Sequence, residues 1–324
     1  MYQTILAVDA ALGHILRHNL SSADGRKALP KGRRLRAEDV QVLRELGLDH
    51  VRVAVLEAGD VHEDEAASRL AAAVCGGEVL ASDASHSRVN LLAQADGIVQ
   101  VDVEALLAIN AIEGLTIATL AHNSLVRMHK RVATIKIIPF AVREADLVQA
   151  EAIARAAAHG IVAIHPLRSL RVGVLLVGSA AARTRIEHGV LPAIESRVVE
   201  LGSVLLAVRF ATADEHDIAE ALGDLAASGA ELIIAAGETS IMDRDDVTPQ
   251  GVQLAGGRIE HYGAPVEPGN LLLLGYLGEL PVLGAPGCVR SRATNIVDLL
   301  LPRLLAGEHL TSRDIILLGH GGLL

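Results

Sequence analysis

From residue 171 onward the chain alternates between largely apolar runs and longer stretches in which apolar residues recur every three or four positions. The runs are 171–177, 204–210 and 232–236; the periodic stretches are 186–201, closed by Gly202, and 214–228, opened by Asp214. Runs this apolar need cover on both faces, and each is followed by a helical stretch. The pattern therefore predicts a three-layer α/β domain with a mainly parallel sheet. Before residue 166 the grammar differs. Residues 37–47 form a short amphipathic helix with acids early and Gly47 at its end, 51–56 turn toward β, and 63–74 form an Ala-rich helix opened by Asp60 and Glu63 to Glu65. A helix near 103–109, β-prone runs at 115–120 and 132–138, and a helix over 144–158 stopped by Gly160 follow. This is an α+β region, and 166–169 read as the hinge, giving an N-terminal region over 1–167 and an α/β domain over 168–324.

Composition narrows the function classes. At 324 residues and 51% apolar content, two cores of about 150 residues each are the natural expectation. Aromatics are only 2% and the net charge is −10, so little is available to stack bases or neutralise a phosphate backbone, and nucleic acid is disfavoured. The basic stretch 27–36, with Lys31, Arg33, Arg34 and Arg36, reads as a solvated loop leading into a helix. Cys75 and Cys288 are far apart and have no metal-ligand spacing, which argues against a disulfide framework or zinc site. No window approaches the ~18 apolar residues of a membrane span, and the N-terminus has no leader pattern; the expectation is a cytoplasmic, reduced protein without a membrane.

Three loops follow apolar runs, where ligands of doubly wound sheets collect. The first, 178–185, begins Gly178-Ser179 and carries Arg183 and Arg185; a plain strand-to-helix turn is the simpler alternative. The second, 237–249, begins Gly237-Glu238-Thr239-Ser240 and continues to Asp243, Asp245 and Asp246. Hydroxyls and amides there suit a phosphate or a ring edge, and the carboxylates suit Mg²⁺ or ring N–H groups, with helix capping as the alternative for Asp245 and Asp246. The third, 283–292, contains Pro286, Gly287, Cys288, Arg290, Ser291 and Arg292, and the rigid Gly-Ala-Pro-Gly turn is expected to open a helix running to Leu305. For Cys288 a small packed residue is the simpler reading and a functional thiol the alternative.

Taken together, 237–249, 256–270 and Gly284-Ala285-Pro286-Gly287-Cys288 resemble the molybdopterin-binding domain shared by molybdopterin adenylyltransferases and molybdenum insertases. The likeness is greatest to the molybdopterin-binding module fused to cytidylyltransferase-like domains. Lys31-Gly32-Arg33, Glu38-Asp39, 59–64 and Arg88-Val89-Asn90-Leu91 are similar to that module's N-terminal half, and Gly319-His320-Gly321-Gly322 to a related C-terminus. The resemblance implies a pocket for the pterin and phosphate of molybdopterin or molybdenum cofactor. It places Gly178, Ser179, Gly237, Glu238, Thr239, Ser240, Asp243, Asp246, Pro286, Gly287, Cys288, Arg290, Ser291 and Arg292 around that ligand, with Asp243, Asp245 and Asp246 as the set for any Mg²⁺. Two departures bear on chemistry: the family's acidic motif after the first strand is replaced by Gly178-Ser179-Ala180-Ala181, and its paired glycines by Gly237-Glu238. Two readings therefore stand. One is a binder of molybdopterin acting in cofactor synthesis, delivery or molybdoenzyme maturation; the other is a Mg²⁺-dependent insertase or nucleotidyltransferase. Either is expected as a homo-oligomer that meets a molybdoenzyme or a cofactor-synthesis protein.

Overall fold

The computed structural model describes residues 1–324 except Ala23 and Ser240. The chain divides into two units, Met1–His165 and Pro166–Leu324.

The first unit is α+β and holds two cores. Leu16, Leu35, Leu43 and Val53 are fully buried in one that draws only on residues up to 55. Its sheet centres on His50–Val55, flanked antiparallel by Tyr2–Ala7 and Ile15–Leu16. The helix Ala37–Glu45 buries Val40 and Leu43, and its first turn is closed by Asp39, whose carboxylate accepts from the Arg36 amide at 3.0 Å and from Arg33 Nε at 2.9 Å. The larger core joins the helices Glu63–Val74 and Glu144–Ala156 to an antiparallel sheet ordered Leu115–Thr119, Arg131–Ile137, Arg88–Ala93, Val79–Ala81. Ala66, Ala67, Leu70, Ala71 and Val74 are buried at helical spacing, which is why an Ala-rich segment forms a stable helix here.

The second unit is the α/β domain. Its strands are β1 (Arg171–Val177), β2 (Val204–Ala211), β3 (Leu232–Gly237), β4 (Arg258–Tyr262), β5 (Leu273–Leu277) and β6 (Leu280–Gly284). They lie in the order β2-β1-β3-β6-β5-β4; the first four are mutually parallel, while β5 and β4 are antiparallel additions at one edge. The helices are α1 (Arg183–Gly189), α2 (Leu191–Glu200), α3 (Glu215–Ala227), α4 (Val247–Leu254), α5 (Ile296–Leu305) and α6 (Ser312–Leu317). The side-chain alternation of a strand splits β1 between two cores: Val172, Val174 and Leu176 join α1, α2 and α5, while Leu175 and Val177 face α3 and α4. A continuous apolar run is thus two half-patterns, one for each layer. In register, Val177 stands beside both Gly237 and Ala211, so β1, β2 and β3 end at one level and their loops are held together.

Two expected elements differ. The helix read over 186–201 is the pair α1 and α2, broken at Val190 (φ −117°, ψ −48°). Pro192 has no N–H to continue the ladder and stands in the first turn of α2, where that donor is not required. The helix expected directly after the turn at 284–287 is instead a 3₁₀ turn, Gly287–Arg290, followed by irregular chain until α5 starts at Ile296. Asn295 sets that start: its side chain accepts from the Val297 amide at 3.0 Å while Asp298 accepts from the Asn295 amide at 2.9 Å. Among the described residues no helix is long and apolar enough to cross a membrane.

Candidate functional site

Where β1 and β3 end, a cleft of about 220 Å³ opens between their loops, α4 and the end of β6. Its floor and walls are small: Gly178, Ala235, Ala236, Gly237 and Ala285, with Val177, Ile241 and Val247 supplying larger apolar surface. Polar atoms enter from Ser179, Glu238, Thr239, Asp246 and Thr248. Small residues here are a geometric requirement. A Cβ on Gly178 would lie 2.5 Å from Ile186 Cδ1 and 3.0 Å from Glu238 Cβ, and one on Gly237 would lie 2.9 Å from the Thr239 carbonyl oxygen. The two loops can therefore pack this closely on each other only because neither glycine carries a side chain.

Glu238 is the principal charge at the cleft. One carboxylate oxygen accepts from the Ser179 amide at 3.1 Å and the Ser179 hydroxyl at 2.9 Å, and the other pairs with Arg185. The Ser179 amide, then its hydroxyl, with Arg185 beside them, hold this carboxyl below the usual carboxylate range. Opposite, Arg290 ties the third loop to the second by donating to the carbonyls of Gly237 at 3.0 Å and Glu238 at 2.9 Å. Tyr262 donates to the Ile241 carbonyl at 3.0 Å, which anchors the far side of the second loop.

Of the residues expected at the site, Gly178, Ser179, Gly237, Glu238, Thr239 and Asp246 line the cleft, and Arg290 braces it through backbone carbonyls. Ser240 lies outside the described residues. The rest of the third loop contributes structure. Pro286 and Gly287 form the turn, Ser291 accepts from the Ala293 amide at 3.0 Å, and Arg292 is drawn away to Glu200 at 2.6 Å. Cys288 is half-buried, and burial pushes its thiol up.

The set Asp243, Asp245 and Asp246 is not brought together. Asp243 accepts from the Asp245 amide at 2.6 Å, and Asp246 turns back onto the amides of Met242 and Asp243, so neither its expected capping bond nor a shared cation site forms. Short spacing in a tight turn lets the Asp243 and Asp246 carboxylates satisfy local N–H groups instead of converging. Among the described residues, no three His, Cys, Asp or Glu side chains are grouped to hold a metal ion.

Sequence reasoning missed Ala213 in the lining and named Thr248 and Ala285 only as members of the second and third loops; it also missed Arg197, which braces the third loop. Arg197 is buried and donates to the carbonyls of Val289 at 3.0 Å and Ser291 at 2.8 Å and to Asp298 at 2.8 Å, which holds the third loop in place. An arginine three positions after Ile194 and next to Val198, on the buried stripe of a helix, is a detectable signal, but its partners lie about a hundred residues on.

Residues 173–306 match the family model described as "Probable molybdopterin binding domain", and residues 5–55 match one described as "Domain of unknown function (DUF8806)". No curated protein matches the chain. Among solved structures, the chain is similar to a molybdenum cofactor biosynthesis protein from Pyrococcus furiosus at 12% identity and a TM-score of 0.27, covering 97% of this chain and 65% of that one. It thus spans somewhat under two thirds of that protein's length. A molybdopterin biosynthesis moea protein from Pyrococcus horikosii is 13% identical, with 97% and 75% of the two chains covered and a TM-score of 0.31. The molybdopterin biosynthesis Mog protein from Mycobacterium ulcerans is 19% identical over 41% of this chain and 92% of its own, with a TM-score of 0.27. The cleft lies wholly inside residues 173–306, the segment of the second unit that matches the family model described as "Probable molybdopterin binding domain".

Proposed function

We propose that this cleft binds molybdopterin or its molybdenum-loaded form, and that the chain serves cofactor synthesis, delivery or molybdoenzyme maturation as a binder and not as a transferase. The observation that carries the reading is the coincidence of the cleft with the matched domain: three parallel strands end level there, and glycines and alanines leave their backbone open to a flat ring. Thr239 and Thr248 offer hydroxyls at the margins for ring or phosphate oxygens. In this reading residues 168–324 are the ligand-holding domain and 1–167 an accessory one. The protein works in the cytoplasm as a homo-oligomer and passes its pterin to a molybdoenzyme or a cofactor-synthesis protein.

Binding without transfer follows from where the carboxylates point. Phosphoryl chemistry on the cofactor needs charge neutralisation at the reacting oxygens, commonly by Mg²⁺ held on convergent carboxylates. Here the carboxylates of Asp243 and Asp246 accept from local amides, and the first loop begins with Gly178, Ser179 and Ala180. The donor set does not fit that ion. Single-turnover assays with molybdopterin, ATP or CTP, molybdate and Mg²⁺ should give a pterin complex and no nucleotide adduct or molybdenum-loaded product. Formation of either product, abolished by Asp243→Ala or Asp246→Ala, would replace this reading with the insertase or nucleotidyltransferase one.

A further inference from the structure

We infer that Glu238 is a built-in anion that decides which end of a ligand can enter the cleft: its carboxylate occupies the donors that the first loop would otherwise present to a phosphate. The inference rests on the reading of the cleft as a pterin-phosphate site. An amide, a hydroxyl and a guanidinium converging on two oxygens, as the Ser179 amide, the Ser179 hydroxyl and Arg185 do on Glu238, is a set that a phosphate monoester also satisfies. The same donors hold the Glu238 carboxyl below its usual value.

The backbone makes this arrangement specific. Glu238 sits one residue past β3 yet serves the loop after β1, which is possible because Gly178 leaves room; a Cβ there would be 3.0 Å from Glu238 Cβ. Arg290 holds the Glu238 carbonyl at 2.9 Å and that of Gly237 at 3.0 Å, so the main chain beneath the carboxylate is braced, while the side chain is about 30% exposed at the cleft. A dianionic group approaching Ser179 meets a carboxylate already in place and is repelled by it. The wild-type cleft therefore takes a neutral, hydrogen-bonding ring at this end and keeps the ligand's phosphate away from the first loop.

Inorganic phosphate is the probe, titrated by calorimetry into the full chain at low ionic strength, where exposed charges are least screened. Glu238→Ala should bind phosphate about tenfold or more tightly than wild type, and the gain should vanish in Glu238→Ala with Arg185→Gln. Glu238→Gln keeps an acceptor for Ser179 while losing the charge; it should show a smaller gain of the same sign and guards against misfolding of the alanine variant. Equal phosphate affinity in wild type and both single variants, or a gain that survives Arg185→Gln, would overturn the inference. Pterin content, measured separately on the same preparations, separates the two claims. A chain that carries no pterin but gains phosphate binding sinks the proposed function alone, and one that carries pterin without the gain sinks this inference alone.

Discussion

A methyl group at Gly178 would sit 2.5 Å from Ile186 Cδ1, so the turn out of β1 accepts glycine and little else. Position alone made this legible: Gly178, Ser179, Gly237, Glu238 and Thr239 each stand within three residues of an apolar run, where a strand must end. What each polar group binds was not legible, because Ser179 and Glu238 are 59 residues apart and meet only through sheet register. Arg290 and Arg292 look equivalent in the sequence, yet one braces the cleft and the other pairs with Glu200. In the first unit, Asp39 shows how residue-scale electrostatics reach stability. Burial by itself would raise its carboxyl, but hydrogen bonds from Arg33 and the Arg36 amide outweigh that and leave it below its usual value. The unfolded chain then binds the proton more readily than the folded one. The pairing stabilises the fold above the unfolded carboxyl value near ~3.9, and that contribution is lost as the pH falls through the lower folded value. Asp39→Asn should be less stable than wild type at pH 7, and denaturant unfolding at pH 7 and at about pH 3 should show the gap closing in acid. A gap that ignores pH would contradict the pairing.

The elements of the second unit follow their apolar periods closely, and the departures have local causes. Residues 186–201 keep a helical period across Val190 because both α1 and α2 pack Ile186, Ile194 and Val198 into one core; period carries no information about the break that Pro192 produces. The start of α5 was encoded by Asn295 and Asp298, an N-cap pair three residues apart, and was obscured by the stronger glycine-proline signal before it. Between that turn and α5 the chain has no regular hydrogen bonding, and Arg197 of α2 supplies it, reaching the carbonyls of Val289 and Ser291 and the carboxylate of Asp298. Arg197→Ala leaves the buried Val289 carbonyl and the part-buried Ser291 carbonyl and Asp298 carboxylate without their donor, and should destabilise the protein by about 1–3 kcal/mol. Urea unfolding measures it. A loss under about 0.5 kcal/mol would mean the segment holds its shape without Arg197.

At the scale of the whole molecule, the change from α+β to alternating strands and helices was visible because buried parallel strands are apolar on both faces, whereas the antiparallel strand Arg131–Ile137 leaves Thr134 and Lys136 less buried than their neighbours. The separate core of residues 8–53 was not visible, since Leu16, Leu29 and Leu35 come from two- and three-residue strands and loops too short to carry a period. The central claim is that the strand-end cleft of the second unit holds the pterin. Ala213 lines that cleft while remaining exposed, so Ala213→Leu adds bulk to the opening without disturbing a core. Purification of wild type and Ala213→Leu under reducing, anaerobic conditions from cells that make molybdopterin, with mass analysis of bound pterin, tests the claim most directly. Pterin is expected on the wild-type protein and absent from the variant, whose thermal unfolding should match that of wild type stripped of pterin; no pterin on wild type, or equal pterin on both, would contradict pterin binding at this cleft.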